Sequence, residues 1–201
     1  MASVDLKKVY RDHYRATGEP GLVDVPERPF LMIDGVGDPN TSVEYADAVA
    51  ALYSIAYGLR AAVKTATGDA YTVMPLEGLW WADDMAMFSV DGKGDWKWTM
   101  MICLPPVVTE ELFDEVAPAV IHKKKLASGD LVRFEAFAEG PAAQIMHFGP
   151  YAAEAPTIER LHAFIAAQDR DLSGKHHEIY LTDPRRVAPE KNRTIIRQPV
   201  E

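Results

Sequence analysis

The chain has 201 residues, 48% hydrophobic and 25% charged, which suits one domain with a substantial core or two small halves sharing one. Its net charge of −9 argues against general affinity for nucleic acid or an anionic membrane and mildly favours cationic guests. The one cysteine, Cys103, permits no intrachain disulfide; with a charged start and no bilayer-length apolar run, the expected setting is reducing and cytoplasmic.

Residues 1 to about 20 read as a polar helical lead-in, ended by the breaker cluster Gly18-Glu19-Pro20-Gly21. Leu22 to Val25 forms a short strand before Pro26, and Phe30-Leu31-Met32-Ile33 a buried strand closed by a turn through Gly35 and Gly37. That glycine pair lacks the third glycine and lysine of a phosphate loop, and its aspartates would repel phosphate. Thr41 and Glu44 have capping-box spacing, and Tyr45, Val49, Leu52, Ala56, Leu59 and Val63 then mark the buried face of a long helix ended by Gly68-Asp69. Strands follow from Tyr71 to about Trp81 and, beyond an Asp91-Gly92-Lys93-Gly94 turn, from Asp95 to about Leu104. Pro75 removes a backbone donor, so the first of these lies at an edge or carries a bulge.

Thr109 to about Lys125 is a connecting helix whose terminal Lys123-Lys124-Lys125 suits the helix dipole, and Leu131 to Ala138 is a strand. The first pattern then returns. Ala142 to Phe148 is a strand, Gly149-Pro150-Tyr151 a turn, and Glu154 to Gln168 a helix with Pro156 in its first turn. Strands at His176 to Leu181 and Thr194 to Gln198 complete it, around a polar loop at Asp183-Pro184-Arg185-Arg186. Strand, helix, strand, strand therefore occurs twice, giving an α+β fold of duplicated βαββ units with helices on one side of the sheet. The expected division is an N-terminal extension over 1–26, a first half over 27–108, a connector over 109–140 and a second half over 141–201.

Glu77 and Glu178 each fall in the strand directly after their unit's helix, among large apolar and aromatic residues. Strand alternation puts Glu178 and Tyr180 on one face. Trp96, Trp98, Met100 and Ile102 share a face of the first unit's last strand, and Tyr71, Trp80 and Trp81 add aromatic area. One reading makes these tryptophans core and the carboxylates solvated or ion-paired. The other makes them an acidic, aromatic cleft for a flat guest. A carboxylate there has a raised pKa unless a cation pairs with it, and serves as general base or counter-ion. His176 and Glu178 share a face with His147 in reach, but two ligands of useful spacing and a His177 pointing away fall short of a metal site. No nucleophile-elbow pattern surrounds any serine, and Cys103 sits inside an apolar strand.

Several segments in the correct order resemble the GyrI-like small-molecule-binding family, specifically stand-alone members without a DNA-binding domain. They are Leu22-Val23-Asp24-Val25-Pro26, Phe30 to Gly35 with Gly37-Asp38-Pro39-Asn40, Leu76-Glu77-Gly78-Leu79-Trp80-Trp81, Trp98-Thr99-Met100-Met101-Ile102, His147-Phe148-Gly149-Pro150-Tyr151 and Glu178 through Arg186. The resemblance implies a ligand cleft between two βαββ halves and binding of aromatic, often cationic, drug-like molecules, with Glu178 central. Some stand-alone relatives hydrolyse the cyclopropane of DNA-alkylating natural products with cleft carboxylate and aromatic residues, which gives the alternative reading of a detoxifying hydrolase. On either reading Glu178, Tyr180 and Glu77 are the candidate catalytic groups. Trp80, Trp81, Trp96, Trp98, Tyr71, Glu178 and His147 are the candidate ligand contacts. The expected partner is an aromatic small molecule, with no cofactor, metal, nucleic acid or membrane. Cys103-Leu104 departs from the family pattern, where an Arg-Gln pair is expected.

Overall fold

The structure, a computed structural model, describes residues 3–82, 96–183 and 185–201. In chain order its elements are β1 (Ser3–Val4), α1 (Leu6–Val9), β2 (Gly21–Val25), β3 (Arg28–Val36), α2 (Val43–Thr67), β4 (Ala70–Tyr71) and β5 (Glu77–Trp81). They continue with β6 (Lys97–Cys103), α3 (Glu110–Lys124), β7 (Arg133–Phe137), β8 (Gly140–Phe148), α4 (Ala155–Ala167), β9 (His176–Tyr180) and β10 (Arg193–Pro199). Eight strands form one antiparallel sheet in the order β2-β8-β10-β9-β5-β6-β3-β7.

That order contains the duplication. In β3-α2-β5-β6 and in β8-α4-β9-β10 the first strand is outermost, the third lies in the middle and the second lies at the centre of the sheet. The two units meet at a seam where β5 and β9 pair antiparallel, with Gly78 opposite Glu178 and Leu79 opposite His177. Both helices cover one face, here called the front. Helix α2 packs on β3 and β6 through Leu52, Ile55, Leu59 and Val63, each such burial contributing roughly 1.5–3 kcal/mol. Helix α4 covers β8 with Leu161 and Ile165, above Ile145 and Ile196, and α3 packs on α2. No helix among the described residues is long and apolar enough to cross a membrane.

Differences from the sequence reading are local and have simple causes. The cap of α2 is Ser42 rather than Thr41, because the Ser42 hydroxyl is the one that accepts from the Tyr45 amide. The expected long strand from Tyr71 breaks into β4 and β5 around Pro75, which cannot donate to a ladder. Only Leu6–Val9 of the N-terminal lead-in is α-helical, and Gly129–Leu131 is a 3-10 turn ahead of β7. Gly35 serves a close approach rather than a phosphate. A Cβ there would lie 2.1 Å from the Trp98 ring, so glycine lets that indole lie across β3. The turn expected at 91–94 lies outside the described residues.

The back of the sheet carries a buried polar chain under the N-terminal segment. His177 and Glu77 are each 1% exposed. The two nitrogens of His177 face two carboxylates, Nε2 at 3.1 Å from Glu77 and Nδ1 at 2.8 Å from Glu139. Glu139 also accepts from Arg197 at 2.9 Å, and Tyr14 donates to Glu77 at 2.6 Å. Gln144 accepts from Arg197 at 3.1 Å and donates to the Asp12 carbonyl at 2.7 Å, while Arg197 also donates to the His13 carbonyl. Burial alone would discharge His177, but Glu139, with the hydrogen bond that His177 donates to Glu77, overrides it and raises the imidazole to about 9. Burial likewise opposes ionisation of Glu139, yet His177 and Arg197 hold its carboxyl down at about 2.

The signs of these shifts set a pH window. His177 contributes its stability below the ordinary value of 6.5 and loses it as pH rises through about 9. Glu139 contributes above 4.5 and loses its share as pH falls through about 2. This network therefore stabilises most between pH 4.5 and 6.5. Replacing His177 with Gln leaves two buried carboxylates without their cation and should cost about 3–5 kcal/mol. Urea unfolding across pH should show the wild-type alkaline decline flattened in His177→Gln. An unchanged decline would place the titrating group elsewhere.

Candidate functional site at the seam

Strand β9 presents His176, Glu178 and Tyr180 to the front face, and β5 presents Gly78 and Trp80 beside them. The glycine is required there, since a Cβ at Gly78 would lie 2.7 Å from Trp80 Nε1. The indole instead folds over Gly78 and donates from Nε1 to the Tyr180 hydroxyl at 3.0 Å. Tyr180 in turn lies beside Glu178 on the same strand face. His176 Nε2 lies 3.1 Å from Glu178 Oε1, with side chains 5% and 14% exposed.

Aromatic groups from three further elements close round this carboxylate. Tyr45, in the first turn of α2, stacks on Trp80 at 6.1 Å and meets Trp98 edge-on at 5.3 Å. Tyr151, in the 3-10 turn Tyr151–Ala153 before α4, contacts the Tyr180 ring edge-on at 5.6 Å and is 38% exposed. Trp96 lies edge-on to Trp80 at 5.8 Å. Glu154, the N-cap residue of α4, is 5% exposed and lies beside Glu178.

The charges follow from these contacts. Burial opposes ionisation of Glu178, but the His176 hydrogen bond, helped by Tyr180 and Glu154 beside it, outweighs burial and holds the carboxyl below its ordinary range. The partner that offsets burial is thus supplied from within the strand, by His176. The same carboxylate, after burial itself, pushes up the phenols of Tyr45, Tyr180 and Tyr151, the last to about 12. The site therefore combines one anionic oxygen donor set with neutral phenols and a wall of rings. That combination suits a flat, electron-poor or cationic molecule.

The predicted site residues separate by face. Glu178, Tyr180, Trp80 and Trp96 come together. Trp98 shares the front face but is fully buried under Tyr45, as core beneath the site. His147 also faces front, two strands away, where Nε2 donates to the Pro150 carbonyl at 3.2 Å and Nδ1 faces the Thr157 hydroxyl at 3.0 Å. It fixes the turn that carries Tyr151. Glu77 pairs with Ile179, so it points to the back, into the His177 network. A two-fold axis normal to the sheet preserves faces, so Glu77 is not the counterpart of Glu178, which lies opposite Gly78. Trp81 also faces back, under the ammonium of Lys175 at 3.4 Å. It lines a groove of about 410 Å³ with Asp34, Thr99 and Arg133. Tyr71 is buried at β4, where its carbonyl accepts from Arg60 at 2.7 Å. Among the described residues no group of three or more His, Cys, Asp or Glu is placed to hold a metal ion.

The sequence reading missed Tyr45, Tyr151 and Glu154 as site groups. Tyr45 carries a helix-face signal and Glu154 a helix-start signal, and each is true of its residue. What sequence order alone does not show is that both helices begin beside the seam.

Residues 18–201 match the GyrI-like small molecule binding domain. Three solved structures from Listeria innocua are similar over essentially the whole chain. An uncharacterized conserved protein is 36% identical with a TM-score of 0.92, covering 99% of this chain and 100% of that one. A hydrolase is 35% identical with a TM-score of 0.86 over 99% and 100%. A further hydrolase structure is 34% identical with a TM-score of 0.90 over 100% of both chains. No curated protein matches the chain.

The two faces give a clean contrast between the two glutamates. Glu178→Gln should weaken a planar cationic dye by about 2–5 kcal/mol, read by tryptophan quenching, because it removes the charge facing the guest. Glu77→Gln should leave dye affinity unchanged and lower the urea midpoint. Equal losses of affinity in both variants would contradict the division of faces.

Proposed function

Because the chain belongs to the GyrI-like small-molecule-binding family, we propose that it is a hydrolase of flat aromatic electrophiles, with Glu178 as the reacting carboxylate. The observation that carries this reading is a largely buried carboxylate, held below its ordinary range beside His176, among phenols and indoles, in a chain similar end to end to two Listeria hydrolases. The substrate class we propose is a strained cyclopropane conjugated to a dienone, as in DNA-alkylating compounds, and the role is detoxification.

The residues divide the work. Trp80, Tyr45 and Tyr151 hold the flat substrate and exclude bulk water. Glu178 accepts a proton from a water as its oxygen bonds to the ring carbon. The carbon–carbon bond of the cyclopropane breaks, and its electron pair passes through the conjugated system to the oxygen, which becomes a phenolate and takes a proton from solvent. Glu178 then returns its proton to solvent, so the hydroxyl ends on the opened carbon and a hydrogen on the phenol oxygen: one water is added, with no oxidant, reductant or cofactor. Tyr180, fixed by Trp80, orients Glu178 and the water. General-base help of this kind is worth about 10²–10⁴-fold.

The same groups would serve a passive binder of aromatic cations, and the product separates the two functions. Incubation with a cyclopropanoid alkylator should yield a ring-opened compound heavier by one water, faster than in buffer. Glu178→Gln should slow it by about 10²–10⁴-fold while a neutral analogue still binds. Recovery of the unchanged compound, bound but not consumed, would leave a binder.

A further inference from the structure

We propose that His176 is the positioning residue of this site, fixing the orientation of Glu178 and keeping it ionised beneath the guest. This rests on the reading of Glu178 as the reacting carboxylate. Strand alternation puts both side chains on the front face two residues apart, and the sheet holds them at 3.1 Å from Nε2 to Oε1. Ionised carboxylate oxygens only accept, so Nε2 carries the hydrogen and points at Oε1. At 4% exposure for the whole of His176, bulk water does not screen the contact.

The surroundings explain why such a partner is needed. Tyr45 from α2, Tyr151 from the preceding turn, Glu154 from the start of α4 and Tyr180 from β9 itself all face Glu178. None of these carries a positive charge, and Glu154 adds a second acidic group. His176 is the basic side chain in direct contact with Glu178. Behind it on α4 stands half-buried His162, whose imidazole is held below its ordinary value by burial first and by His176 second.

The test reads Glu178 directly. In protein labelled with ¹³C at glutamate carboxyls, the Glu178 resonance is the one absent from Glu178→Gln. In the wild type it should titrate below the ordinary carboxylate range. In His176→Leu it should titrate above that range, and in His176→Gln, which retains an N–H donor without a charge, between the two. The acid limb of the rate profile should move in step, with kcat reduced at neutral pH and KM changed little. If His176→Leu fails to fold, the His176→Gln titration carries the test. An unchanged Glu178 titration in a folded variant would overturn the role of His176. Because the NMR titration needs no turnover, a shifted titration without hydrolysis would uphold His176 and reject only the hydrolase.

Discussion

The buried imidazolium of His177 is the constraint on which the seam depends. It stands at the junction of the two βαββ units, between a carboxylate of the first and one at the entry to the second. Its next neighbour along the strand, Glu178, faces the other way into the site. Slipping β9 by one residue against β5 would put Glu178 into the back-face network and His177 among the aromatic rings. Both outcomes strand buried charge, so the network specifies the register with far more force than apolar packing alone would. The ion pairs need not add net stability to do this. Their effect lies in the cost of every alternative arrangement.

The N-terminal segment belongs to the same device. Tyr14 completes Glu77, and the carbonyls of Asp12 and His13 complete Gln144 and Arg197. Residues preceding the repeated units therefore cap the charges of the seam, and a helix of only four residues suffices because side-chain contacts rather than helix length hold the segment. Arg28 reinforces it, lying 3.8 Å above the Tyr10 ring.

The duplicated architecture was legible because two helical periodicities each sit between strand-like runs. The composition of the central strands was legible too. What escaped was parity. Glu77 and Glu178 look equivalent when each is read as an acid in the strand after a helix, and only the pairing of Gly78 with Glu178 shows that they face opposite ways. Trp80 and Trp81 are adjacent in sequence and therefore necessarily on opposite faces, yet composition counts them together. Tyr45 and Glu154 escaped for a complementary reason. Each satisfies a local rule, as an amphipathic-face residue and a helix-start residue, and local rules say nothing about which helix ends converge. The alternation of β9, by contrast, was enough to put His176, Glu178 and Tyr180 side by side.

The state of Glu178 also bears on which hydrolysis fits the proposed site. A carboxylate held below its ordinary pKa is a good counter-ion and a weak base. Amide or ester hydrolysis by such a group would need a strong nucleophile and prearranged donors for an oxyanion next to the attacked carbon. A strained cyclopropane joined to a dienone asks for less. Ring strain and rearomatisation drive the bond cleavage, and the negative charge develops at an oxygen several bonds from the attacked carbon. The protein has to hold a flat molecule, place one water and take up a proton as attack proceeds. In the proposed mechanism aromatic walls do the first, and a fixed carboxylate backed by histidine and tyrosine does the rest. A weak base suffices when the electrophile is strong, and a low pKa keeps that base in its working form across the neutral range.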